Sequence, residues 1–303
     1  MTASALVALA VVLIVAPVLP GIAVRTKSLL SGRRGPPVLQ LYYDLAKLLR
    51  KGRVYSTTTT WVFRAGPVIV LVSLIVALLL LPLDGRSSPL HFAGDLIAFA
   101  GLLALGRFAL VLAAMDTGSS FEGMGASREV TIASFAEPAL FLCFIALVLA
   151  TEDLSLSGML GPALGEAWPR SAPALALTGT SLFVLLLAEN ARVPVDDPAT
   201  HLELTMIHEV MVLDHSGPDL ALILYGSALK LALFATLVTG VFAPRAALAP
   251  LAAIALLVAG LIVVAVLVGV VESVTARLRL SRVPQLLVGA AVLAAFGIIL
   301  LLG

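Results

Sequence analysis

Two basic residues stand where a bilayer is hostile to charge: Arg107 within GLLALGRFALVLAAM and Lys230 within YGSALKLALFA. An ionised side chain at mid-membrane costs about 2.5–3.5 kcal/mol even on the insertion scale. Acids able to neutralise them lie in or at the ends of neighbouring apolar runs: Asp116, Glu137, Glu189 and Glu272. Opposite charges in one helix bundle pair, because pairing removes much of the desolvation penalty. Such pairs can serve as structural ties between helices. They can also form a continuous polar file, and their spread over five apolar runs fits a file better. A carboxyl group in apolar surroundings exchanges its proton near neutral pH. Glu137, Glu189, Arg107 and Lys230, with Asp116 nearby, are therefore expected to line a proton or ion path.

The densest chemistry lies in AENARVPVDDPATHLELTMIHEVMVLDHSGPD. From Asp196 to Asp219 its acids are Asp196, Asp197, Glu203, Glu209, Asp214 and Asp219, and it holds three of the four histidines. Leu202, Met206, Val210 and Leu213 make one helical stripe; His201, Thr205, His208 and His215 make another. Too apolar for a free loop and too charged to cross, the stretch is expected to fold back on the bundle. No metal motif is complete. A His-Glu-x-x-His zinc site would need its second histidine where Val212 stands. A magnesium-holding Asp-Asp-x-x-Asp ends on Thr200 after Asp196 and Asp197. Histidines seven apart on a helix are separated by about 10.5 Å, too far for one ion. Proton handling or partner docking suits mixed histidine and glutamate better.

The elements that must position these groups follow from composition. Of 303 residues, 60% are hydrophobic and 12% charged, about half the roughly 25% charge of soluble domains. The net charge of +1 excludes a nucleic-acid binder working through bulk basicity. One cysteine, Cys143, supplies neither a disulfide framework nor the thiolates of an iron–sulfur cluster. Apolar runs long enough to cross lie near 3–24, 65–82, 96–115, 132–150, 174–190, 220–243, 250–271 and 284–302. Without period-2 alternation, they are helices. The fold class is an all-α polytopic integral membrane protein with eight transmembrane helices in a single domain, 1–303. The first run is expected to be a retained helix.

Loop charge sets orientation. Arg25, Lys27, Arg33, Arg34, Lys47, Arg50, Lys51, Arg53, Arg64, Arg128, Arg192, Arg277, Arg279 and Arg282 fall on one side; Arg86, Arg170 and Arg245 fall on the other. Both termini are expected to face outward. In the first cytoplasmic loop, Val38, Leu41, Tyr42, Leu45, Leu48 and Leu49 form one apolar stripe, with Gln40, Asp44, Lys47 and Lys51 away from it. This predicts an amphipathic cytoplasmic interface helix, either a surface anchor or a wall of a binding cavity.

Three stretches carry a resemblance to a known family: AENARVPVDDPATHLELTMIHEVMVLDHSGPDLALILYGSALKL, GRRGPPVLQLYYDLAKLLRKG and AAMDTGSSFEGMGASREVTIASFAEPALF. They resemble the membrane subunit of energy-converting (group 4) nickel–iron hydrogenases, of the formate hydrogenlyase subunit 4 and hydrogenase-4 component C type. That family is homologous to subunit 1 of respiratory complex I. The resemblance implies a non-catalytic subunit in a prokaryotic inner membrane, coupling electron transfer in its partners to ion movement. The implied partners are a hydrogenase large subunit, a small iron–sulfur subunit, a ferredoxin-like subunit and antiporter-like membrane subunits. Iron–sulfur clusters and the nickel–iron centre would then belong to those partners and none to this chain.

By the same resemblance, the acids of the family's ion path correspond to Glu137, Glu189, Glu203 and Glu209. Arg34, Gln40, Asp44 and Lys47 match the first-loop helix that lines the quinone cavity of complex I, and Asp196, Asp197, His201 and His208 fall in the docking loop. The Thr200-His201 and Ile207-His208-Glu209 pattern departs from the complex I branch, which counts against a bound quinone. The nearest alternatives are the quinone-site subunit of an NADH or ferredoxin dehydrogenase and, more distantly, a stand-alone transporter.

Overall fold

The computed structural model describes residues 3–196 and 206–303. Among them every regular element is helical: α1 (Ala3–Val15), α2 (Val18–Leu30), α3 (Gln40–Leu49), α4 (Trp61–Leu79), α5 (Asp95–Asp116), α6 (Ser120–Thr151), the single turn α7 (Leu156–Met159), α8 (Pro162–Glu189), α9 (Gly217–Phe242), α10 (Pro250–Val274) and α11 (Val283–Leu302). Short 3-10 turns occupy Glu209–Val212 and Leu280–Arg282. Helices α4, α5, α6, α8, α9, α10 and α11 are each long and apolar enough to cross a bilayer. Helices α1 and α2, which meet at a 45° bend, pass the same test when taken together. The protein is a multi-pass all-α membrane protein.

The bend has its cause in the sequence. Pro17 lacks an N–H, and its ring crowds the carbonyl one turn back. Leu13, four residues earlier, instead accepts a hydrogen bond from the Tyr225 hydroxyl at 3.0 Å, and the Tyr42 hydroxyl donates to the Ile14 carbonyl. The expected unbroken run 3–24 is thus a broken one ending at Leu30.

Two other boundaries differ from the apolar runs. α6 begins at Ser120, twelve residues before the run at 132, and α8 at Pro162, twelve before 174. The third loop shrinks to residues 117–119. Helix does not stop where hydropathy does: GMGASREV is polar yet continues the spiral. In α8, Pro169 and Pro173 bracket Ser171, whose φ of −131° and ψ of 27° mark a kink between a polar first segment and the apolar one.

Polar contacts sort the loops into two ends. At one end Ser4 donates to Asp84, Ser88 bonds Ser157, and the Leu156 N–H donates to Asp95. At the other, Tyr55 donates to Asp219, the Thr60 N–H to Asp116, and the Leu278 N–H to Pro194. The second end carries the basic loops. Central to the bundle is α9, whose residues Leu231–Val241 are buried on every side. It packs against α4, α8 and α10, while α11 closes on α6 and α8. Small residues permit the closest approaches. A Cβ on Gly269 of α10 would lie 2.5 Å from the Ala23 carbonyl of α2.

Helix α3 lies at the basic end against α2 and α9. Val38, Leu41, Tyr42, Leu45 and Leu48 are half-buried as the stripe requires, but Leu49 is exposed. Gln40 and Asp44, expected off the stripe, are half-buried and satisfy each other through a 3.0 Å bond from Gln40 Nε2 to Asp44 Oδ1.

Candidate functional site

Four spans deliver charge to one point in the basic half of the bundle. Arg107 projects from α5, Glu129 and Glu137 from α6, Glu189 from the last residue of α8, and Lys230 from the middle of α9. Arg107 Nη2 donates to both oxygens of Glu189, at 2.7 and 2.9 Å, and Arg107 Nη1 donates to Glu137. Arg107 Nε lies 3.7 Å from Glu129. Lys230 Nζ approaches Glu189 Oε2 to 2.7 Å. Glu189 therefore bridges two cations, and Arg107 gathers three acids. Side chains of Arg107 and Glu189 are 9% and 7% exposed, whereas Glu137 is 42% exposed. The buried part of the network thus opens to the surface through Glu137.

Local sequence explains the placement of Glu189. α8 ends in a Schellman turn: the Arg192 N–H reaches the Leu187 carbonyl and the Ala191 N–H that of Ala188. Ala191 takes a φ of 48°, a left-handed conformation that disfavours a Cβ. The turn halts the helix with Glu189 still facing inward, and it throws Arg192 to the opposite side. There Arg192 and Lys27 approach the buried Glu272 at 3.5 and 3.8 Å, and Arg277 pairs with Asp196 at 2.8 Å. A second ion cluster thus flanks the first, and the segment 190–196 connects them.

Beside Glu189 lies a cavity of about 40 Å³, lined by Arg107, Glu129, Glu189, Asn190, His208 and Lys230 among polar residues and by Val70, Leu74 and Leu103 among apolar ones. It has room for about three waters, and it is far below the roughly 300–1,000 Å³ of organic-ligand pockets. His208 enters from the loop; burial holds its pKa below the usual histidine value, Lys230 adds to this, and Glu129, Asp196 and Glu189 oppose it.

The remaining expected residues are dispersed. Asp116 caps α4, accepting from the backbone of Thr60 at 2.6 Å and Phe63 at 3.2 Å, and does not line the cavity. Asp196 anchors the returning segment by accepting from the Ile207 N–H at 3.0 Å. Glu209 opens the following 3-10 turn. Arg34 and Lys47 are exposed at the basic end, with Lys47, Asp44, Leu48, Lys51 and Leu224 around a shallow hollow of about 210 Å³. Asp197, His201 and Glu203 lie outside the described residues.

Two acids escaped the sequence reading. Glu129 joins Arg107, and the buried Glu122 accepts from the Asp214 N–H at 3.2 Å. Both sit in the helical extension below residue 132; the eight-residue spacing of Glu129 and Glu137, near two helical turns, was the available signal. No group of three or more His, Cys, Asp or Glu able to hold a metal occurs among the described residues.

The likeness to known proteins spans the whole chain. Residues 3–303 match the family described as NADH dehydrogenase. Hydrogenase-4 component C of Escherichia coli (strain K12) is 33% identical over 77% of this chain and 73% of its own length. Formate hydrogenlyase subunit 4 of the same organism is 31% identical over 76% and 74%. An NADH-quinone oxidoreductase subunit of Rickettsia felis (strain ATCC VR-1525 / URRWXCal2) is 25% identical over 72% and 65%. A chain of the membrane-bound sulfane sulfur reductase, an archaeal respiratory membrane complex, shares the fold with a TM-score of 0.80 over 98% of both chains at 22% identity. The bent first helix pair, the helix lying across the basic end and the paired charges inside the bundle thus belong to a member of the NADH dehydrogenase family, of the complex I subunit 1 type.

Proposed function

We propose that this chain, acting as one unit over 1–303, is the membrane-anchoring, ion-translocation-coupling subunit of a hydrogenase-type oxidoreductase complex such as a formate hydrogenlyase or energy-converting hydrogenase. Its basic end faces the cytoplasm of a prokaryotic inner membrane, both termini face outward, and the cluster-bearing subunits dock there. The supporting observation is the bridged series Glu137–Arg107–Glu189–Lys230, which sets the Glu189 carboxylate between two cations inside the bundle. A change in any one carboxylate's protonation frees a cation to repartition among the others, and that is what moving a proton stepwise requires. Higher identity to the two hydrogenase-type subunits than to the NADH-quinone oxidoreductase subunit favours this branch.

Redox centres reside in the partners under this reading. An iron–sulfur cluster needs several thiolates, and Cys143 stands alone and buried. Arg34, Lys47 and the segment around Asp196, Asp197, His201 and His208 are the proposed docking contacts for a hydrogenase large subunit, a small iron–sulfur subunit and a ferredoxin-like subunit, with antiporter-like subunits beside the bundle. The second reading is a quinone-site subunit of an NADH or ferredoxin dehydrogenase, favoured by the likeness to the Rickettsia protein. Purification in mild detergent followed by mass spectrometry separates them. Recovery of a large subunit with paired Cys-x-x-Cys nickel ligands is the expected result; NADH-oxidising flavoproteins would establish the second reading, and a functional protein alone would point to a transporter.

A further inference from the structure

We propose that His208 is the residue through which protons pass between the basic end and the buried network, an inference that rests on the ion-coupling reading above. His208 shares the wall of the small cavity with Arg107, Glu129, Glu189 and Lys230. Those four stand on α5, α6, α8 and α9; His208 alone among the titratable lining groups is carried by a non-spanning segment, which packs on α5 and α6. The backbone on either side of it is tied down. Arg128 Nη1 donates to the Met206 carbonyl at 2.8 Å, the Ile207 N–H to Asp196 at 3.0 Å, and the Met211 N–H to the His208 carbonyl at 3.2 Å. The backbone that carries the ring is thereby held beside the cavity.

The charges facing it come from every neighbouring element: Arg107 on α5, Glu129 on α6, Glu189 on α8, Lys230 on α9 and Asp196 in the connecting segment. Burial keeps the imidazole neutral at pH 7, so one ring nitrogen offers a lone pair. A hydronium ion at the basic end breaks one O–H bond and leaves as water as its proton forms an N–H bond there. The N–H bond of the other ring nitrogen then breaks as an O–H bond forms on a Glu189 oxygen, relayed by the roughly three waters that the cavity admits. His208 returns to neutral and Glu189 loses its charge. Arg107 keeps Glu129 and Glu137, whereas Lys230 has Glu189 as its one ion-pair partner among the described residues. Lys230 is therefore the cation that each arriving proton displaces.

The test uses the assembled complex in inverted membrane vesicles, reading protons moved per turnover with and without added imidazole. In His208→Gln the ratio falls toward background, and imidazole restores part of it. His208→Asn, shorter and leaving more room, repeats the measurement should the glutamine variant fail to assemble. A wild-type ratio and pH profile in either variant overturns the proposal, and so does a loss that imidazole does not relieve, because a ring needed only for packing is not replaced by a diffusible base. Glu189→Gln separates the two levels. If it abolishes translocation while the His208 variants retain it, only the role of His208 falls; if it translocates fully, the ion-coupling reading falls first.

Discussion

At the residue scale, the bundle invests in charges that a lipid-facing helix would exclude, and their value depends on complete pairing. Removing one member of a buried ion network costs about 3–5 kcal/mol, because the charges left behind lose their partner. Arg107→Ala, which leaves Glu129, Glu137 and Glu189 without their shared cation, is expected to lose stability of that order in a thermal melt of the detergent-solubilised protein. His215 makes a different, pH-dependent contribution. Its ring stacks on Phe63 with centroids 3.9 Å apart, and burial pushes its pKa down to about 4 against the pull of Asp219 and Asp214. Between about pH 6.5 and 4 the unfolded chain binds a proton that the folded chain does not, so stability falls as pH falls through that window. Melting temperatures at pH 7.5 and 5 check this: His215→Gln should flatten the difference, and an equal drop in both proteins would contradict it.

At the element scale, apolar length located the crossings but not the ends of the helices. Arg107, Glu137, Glu189 and Lys230 were legible because charge within an apolar run is anomalous wherever it occurs. Glu129 was not, because Gly123, Ser127, Arg128 and Thr131 around it lower the hydropathy of what is nonetheless the first part of α6. Asp116 looked equivalent to the others from its place at a span end; only packing shows that it faces α4's free N–H groups. The bend at Pro17 was likewise hidden, since apolar residues continue through it and the hydroxyls that satisfy its carbonyls come from Tyr42 and Tyr225. The Schellman turn after α8 yields a sharp expectation. Ala191 at a φ of 48° bears a cost of about 1 kcal/mol that glycine avoids. Ala191→Gly should therefore raise the melting temperature without altering partner recovery; a lower melting temperature would show that the turn is not strained.

At the scale of the whole molecule, the polar contacts divide the loops into two ends, and the basic end holds both ion clusters, α3 and the returning segment at 206–216. The positive loops are the ground for proposing that this end is cytoplasmic. In a Cys143→Ser background, Ser56→Cys should react with an impermeant maleimide only from the cytoplasmic side and Pro89→Cys only from outside; the reverse pattern would invert the topology. Coupling itself is tested most directly by Glu189→Gln, which keeps the shape of the side chain but removes the charge that bridges Arg107 and Lys230. With the complex reconstituted in sealed vesicles, the count of protons carried for each electron transferred should drop to background in that variant. A count equal to wild type would contradict the account.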